Sequence, residues 1–133
     1  MKTFYSLGVI LLILNMAVTR VHARVHLHVI NRLGNGRVLN VHCQSSDDDL
    51  GYQSLEDGSE TTWSFSINFW GTTLFFCDVQ WDGLVWYHFD AFDAVRDHGR
   101  CRSECRWMIN RDGLLFGYVP QDGLWDMFPM TPV

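Results

Sequence analysis

Apolar and polar residues alternate through much of this chain with a period of two. Val25, Leu27 and Val29 are separated by His26 and His28, the pattern of a half-buried strand. Arg37 to Cys43 repeats it, with Leu39, Val41 and Cys43 on one side and Asn40 and His42 on the other. Leu33-Gly34-Asn35-Gly36 links the two runs. Its Asn-Gly step is a hairpin signal, because both residues tolerate positive φ. A third strand is predicted from Thr61 to Phe69, where Trp63, Phe65, Ile67 and Phe69 form an apolar face against Thr62, Ser64, Ser66 and Asn68.

Tight turns punctuate the rest. Asp82-Gly83-Leu84, Asp112-Gly113-Leu114 and Asp122-Gly123-Leu124 each separate apolar or aromatic segments and read as turns between antiparallel strands. Their unequal spacing argues against an internal repeat. Asp57-Gly58 has the same turn chemistry ahead of the third strand. No segment sustains a helical period; Phe89 to Arg96 could form one or two turns at most. The expectation is an all-β domain of seven or eight short strands, a small antiparallel β-sandwich or barrel. The longest stretch not predicted as strand is Asp90 to Arg106.

The first residues read differently. Lys2 precedes an apolar stretch from Leu7 to Val18, and Val21-His22-Ala23 supplies a cleavage pattern. This is the layout of a secretory signal peptide, and the stretch is well short of the roughly 20 residues that span a bilayer. Residues 1–23 are therefore assigned to a signal peptide and 24–133 to a single domain, which at that length buries about two-thirds of its unfolded surface. Removing Lys2 and Arg20 leaves 8 basic and 15 acidic residues, a formal charge of −7, and no lysine. That balance argues against nucleic acid, which demands clustered basic residues, and against adsorption to anionic lipid. Membrane insertion is not expected.

Cys43, Cys77, Cys101 and Cys105 all follow the predicted cleavage site, so two disulfides are expected in an oxidising route. Four cysteines allow three pairings. Cys101 and Cys105 are close in sequence, so each is expected to reach a different strand cysteine, as Cys43–Cys105 and Cys77–Cys101. Each bridge would contribute about 2–4 kcal/mol.

Two segments carry a family likeness. One is Cys43-Gln44-Ser45-Ser46-Asp47-Asp48-Asp49-Leu50-Gly51, a strand ending in cysteine followed by an acidic turn closed by glycine. The other is Asn68-Phe69-Trp70-Gly71-Thr72-Thr73-Leu74-Phe75-Phe76-Cys77, an aromatic run broken by glycine. With Cys101-x-x-x-Cys105-x-Trp107 downstream, this order resembles the plant self-incompatibility S-protein homologue family. The resemblance spans nearly all of 24–133 and implies a secreted β-sandwich. The founding members of that family act in the stigma as ligands read by pollen. It also implies that the Asp-Leu-Gly stretch is a shared fold signature rather than a determinant of partner choice.

Candidate chemistry is sparse. No serine or cysteine sits in a nucleophile elbow or cysteine-protease context, and the disulfides consume the strong nucleophiles, so no catalytic residue is assigned. Asp47, Asp48 and Asp49 suggest calcium, but an EF-hand loop fails: Gly51 falls at position five and Gly58 occupies position twelve. His26, His28 and His42 could meet a transition metal if the first two strands pair; the wet face of an amphipathic strand is the simpler reading. They could also titrate in a mildly acidic extracellular space. No metal or cofactor is expected, and there is no N-x-S/T sequon. Trp125 and Phe128 are expected in a closing strand, with Met127 and Met130 forming a patch only if exposed.

A charged loop pinned by disulfides is a natural recognition surface. Asp93, Arg96, Asp97, His98, Arg100 and Arg102 are the candidate partner-binding residues, with Leu33 to Gly36 second. The expected function is a secreted, monomeric, non-enzymatic ligand for a cell-surface receptor or other extracellular protein. The alternatives are a secreted defence protein, either an enzyme inhibitor or membrane-active, and a low-activity hydrolase.

Overall fold

Burial along the first strand follows the alternation in the sequence: Val25, Leu27 and Val29 are fully buried, while His26 and His28 lie between them on the other face. The computed structural model describes residues 24–68 and 71–133. The predicted signal peptide, and Phe69 on the apolar face of the third predicted strand, lie outside the described residues.

The strands are β1 (Arg24–Asn31), β2 (Leu39–Gln44), β3 (Asp49–Leu55), β4 (Glu60–Ser66), β5 (Leu74–Gln80), β6 (Tyr87–Asp93), β7 (Glu104–Ile109), β8 (Leu115–Val119), β9 (Leu124–Phe128) and β10 (Thr131–Pro132), with one helical turn, α1 (Ala94–Asp97), after β6. They form two five-stranded sheets, ordered β4-β1-β7-β8-β9 and β10-β6-β5-β2-β3. The sheets pack face to face as a β-sandwich. Phe65 of the first lies 4.2 Å from Phe75 of the second, and Trp107 lies 5.3 Å from Phe89, between ring centroids.

Ten strands form where seven or eight were expected, and the topology and pairing differ from the sequence reading in four particular places. First, β3 is a strand the alternation did not announce. It is an edge strand with little to bury, and its Tyr52 is 73% exposed. Second, β1 runs parallel to β7, although its pairing with β4 is antiparallel. Third, Leu33–Gly36 does not close a hairpin: β1 and β2 belong to different sheets, so this turn crosses the sandwich. Asp57-Gly58 crosses back between β3 and β4, whereas the other three Asp-Gly steps join the paired neighbours β5/β6, β7/β8 and β8/β9.

The two crossings are stitched together. The Asp57 carboxylate accepts from the Gly34 and Gly36 amides. The fully buried Asn31 donates to the Arg37 and Leu55 carbonyls at 2.8 and 3.0 Å and accepts from the Leu33 amide. Positive φ at Asn35 (55°) makes the reversal. Which sheet the chain enters is decided by what each strand must bury.

The fourth departure is the disulfide pairing. The bridges are Cys43–Cys77 and Cys101–Cys105, not Cys43–Cys105 and Cys77–Cys101. Cys43 and Cys77 are direct cross-strand partners on β2 and β5, with Cα atoms 4.0 Å apart. Cys105 lies on β7 in the opposite sheet, beside the loop that carries Cys101.

Candidate recognition surface

Strand structure takes both ends of the predicted recognition loop: β6 runs to Asp93 and β7 starts at Glu104, leaving 94–103 irregular apart from α1. Asp93 caps that turn, accepting from the Val95 and Arg96 amides at 2.9 and 3.4 Å, as a short polar side chain at a helix start does.

Asp97 ends the turn and is fully buried. Its carboxylate accepts from Arg96 Nε at 2.9 Å, Arg96 Nη2 at 2.8 Å, Arg100 Nε at 2.8 Å and the Asp93 amide at 2.9 Å. Burial raises the Asp97 pKa, but these donors outweigh it and hold the group below its ordinary value of 3.8. Arg100 Nη1 donates to the Tyr118 carbonyl, and its guanidinium lies 4.4 Å from the centre of the Trp107 ring. Arg96 sits 5.3 Å from the same ring and donates to the Asp90 carbonyl. Trp107 is itself fixed by a 2.7 Å bond from Nε1 to the Ala91 carbonyl.

The six candidate residues therefore divide. Asp97 is withdrawn from the surface, Arg100 is nearly so, and Arg96 and Asp93 are engaged in holding the loop. His98 and Arg102 are exposed, with Arg102 Nε donating to the His98 carbonyl. Beside them stands Val95, 82% exposed, which charge patterning had passed over. These residues border a mostly apolar cleft of about 670 Å³, lined also by Ile67, Phe92 and Cys101. No sequence signal marked Val95: Ala94 and Asp97 on the same turn point inward, and that inward placement, which leaves Val95 outside, is visible only in the structure.

The other candidates are dispersed. His28 faces Glu60 and Glu104 across three strands of one sheet. His42, in the other sheet, bonds Asp49 at 2.7 Å. The histidines do not converge, because β1 and β2 do not pair. Among the described residues, no group of three or more His, Cys, Asp or Glu side chains is placed to hold a metal ion. Asp47 and Asp48 lie in an exposed turn organised by Ser45. The Asp49 carboxyl is held below its ordinary value by the Gly51 amide first and His42 second. At the C-terminal end Met127 is 64% exposed, whereas Met130 packs against the core.

A family model described as plant self-incompatibility protein S1 matches residues 26–128. The chain belongs to the self-incompatibility S1 family. Self-incompatibility protein S1 of Papaver rhoeas is 39% identical over 105 residues, covering 78% of this chain and 75% of that protein. S-protein homolog 6 of Arabidopsis thaliana is 40% identical over 88 residues, covering 65% of this chain and 64% of its own length. A solved structure of SPH (self-incompatibility protein homologue) proteins, described as a widespread family of small, highly stable, secreted proteins from plants, superposes with a TM-score of 0.59. It is 20% identical and covers 84% of this chain and 93% of the other. The fold is thus that of the S-protein homologues, and the chain is a secreted plant protein. Among the described residues, no helix is long and apolar enough to cross a membrane.

Proposed function

We propose that this S-protein homologue is a non-enzymatic, monomeric ligand for a cell-surface receptor, and that the surface around α1 makes the contact. The observation that carries this reading is the construction of 94–103. A buried Asp97 clamped by two arginines and the Cys101–Cys105 bridge hold a short segment rigid, while Val95, His98 and Arg102 stay exposed beside a cleft. Pre-ordering lowers the entropy cost of association, and Arg is among the residues most often found as energetic anchors of interfaces. Residues 1–23 act as the signal that delivers the protein, consistent with a family match that starts at residue 26.

The test uses the protein recovered from secretion medium, its N-terminus sequenced, applied to intact plant cells and to protein-free lipid vesicles. Saturable binding to cells alone is expected. Val95→Asp and Arg102→Glu should each weaken it at least about tenfold with the thermal midpoint unchanged. Full binding by both variants would exclude this surface. Binding or leakage in bare vesicles would favour a membrane-active defence protein instead.

A further inference from the structure

The outer face of the second sheet carries an aromatic feature that the α1 surface does not use. Tyr52 of β3 lies flat on His42 of β2, with ring centroids 4.0 Å apart and planes 23° apart. The ring is nonetheless 73% exposed, so its other side faces solvent. Trp86, just before β6, reaches across the sheet to stand nearly perpendicular to Tyr52, at 6.1 Å and 76°. One ring is a floor and the other a wall. The floor is braced: His42 is bonded by Asp49, and Asp49 by the Gly51 amide.

The surroundings select the ligand. The row through Tyr52 continues as His42, Asp78 and His88, and the next row is Ser54, Asn40 and Gln80. These two rows are hydrogen-bonding groups, and Tyr52, 73% exposed, lacks the closely packed, desolvated pocket in which apolar protein anchors sit. The four strands β3, β2, β5 and β6 contain Asp49, Asp78, Asp90 and Asp93 but no lysine or arginine. An anionic ligand would be repelled by such a face. An open aromatic face, flanked by amides, hydroxyls and carboxylates on an acidic sheet, fits a molecule with C–H faces and hydroxyl edges and no charge.

We propose that Tyr52 and Trp86 form a binding platform for neutral, pyranose-based glycans, separate from the receptor surface at α1. The axial hydrogens of one sugar ring lie on the negative face of Tyr52, Trp86 flanks it, and Ser54, Asn40 and Gln80 meet its hydroxyls. In the extracellular space, such a platform would hold the ligand near polysaccharide.

Affinity electrophoresis of the secreted protein through gels containing xyloglucan, galactomannan, mixed-linkage glucan or polygalacturonate tests this. Retardation by at least one neutral glycan and none by polygalacturonate is expected. Tyr52→Ala should weaken binding about tenfold, the loss of one stacking contact. Tyr52→Phe should keep most of it, and Met127→Ala, on the other sheet, all of it. Titration of the unsubstituted protein with the retarding glycan should shift tryptophan emission, which reads the site without any substitution. No retardation by any neutral glycan, retardation by polygalacturonate alone, or equal retardation of Tyr52→Ala would overturn the proposal.

Discussion

The Arg100 guanidinium rests 4.4 Å from the centre of the Trp107 ring while its Nε is bonded to the buried Asp97 carboxylate. One side chain thus ties the loop to the core by charge on one side and by the aromatic face on the other. This contact makes residues 94–103 part of the scaffold.

Asp97 carries a pH dependence whose sign follows from its partners. Its folded-state pKa lies below the ordinary 3.8, so its contribution is complete above that value and is lost as pH falls through the lower folded-state pKa. Asp97→Asn is expected to cost about 3–5 kcal/mol at neutral pH by leaving Arg100 buried without a counter-charge. The gap from wild type should narrow progressively below pH 3.8. Urea unfolding across that range measures both.

The two disulfides should differ in value. Cys43–Cys77 spans 34 residues and Cys101–Cys105 spans 4. On loop-closure entropy, replacing both cysteines of the first pair with alanine should cost about 4 kcal/mol, and of the second about 2. Proteolysis without reduction should release peptides cross-linked in this pairing; a Cys43–Cys105 peptide would contradict it.

Asn31 joins the two sheet crossings from a fully buried position. Asn31→Ala strands the Arg37 and Leu55 carbonyls and the Leu33 amide, and a destabilisation of about 1–3 kcal/mol is expected from unpaired buried groups. Hydrogen exchange should accelerate first at the Gly34, Gly36 and Gly58 amides, which bond to Asp57 and to the Asn31 carbonyl.

Gly117 faces Trp107 across the β7–β8 pair. A Cβ there would lie 2.8 Å from the Trp107 ring, 2.9 Å from Phe128 and 3.1 Å from Arg100 Nη1. All three are held in place, so Gly117→Ala should destabilise by about 1–3 kcal/mol through overpacking. Near-ultraviolet circular dichroism should show the Trp107 environment altered even where the fold survives.

The strands with one dry face were legible in the sequence, because burying that face requires an apolar residue at every second position: β1 and β2 show it directly. The Asp-Gly turns were legible for a local reason, the positive φ their residues accept. The acidic turn, the cysteines and the Trp107 spacing carried the family likeness. What lay beyond the sequence was contact between residues far apart in it. Asn35-Gly36 reverses the chain in a hairpin or a crossing alike, and only the packing of β1 against β7 decides between them. Cys43 meets Cys77 because β2 and β5 are neighbours, which no spacing states. In the candidate loop, the same charges read as a wet surface and as a buried clamp. Trp107 and Phe128, brought under the loop by the sandwich, draw Arg100 and Asp97 inward and leave His98, Arg102 and Val95 to face the solvent.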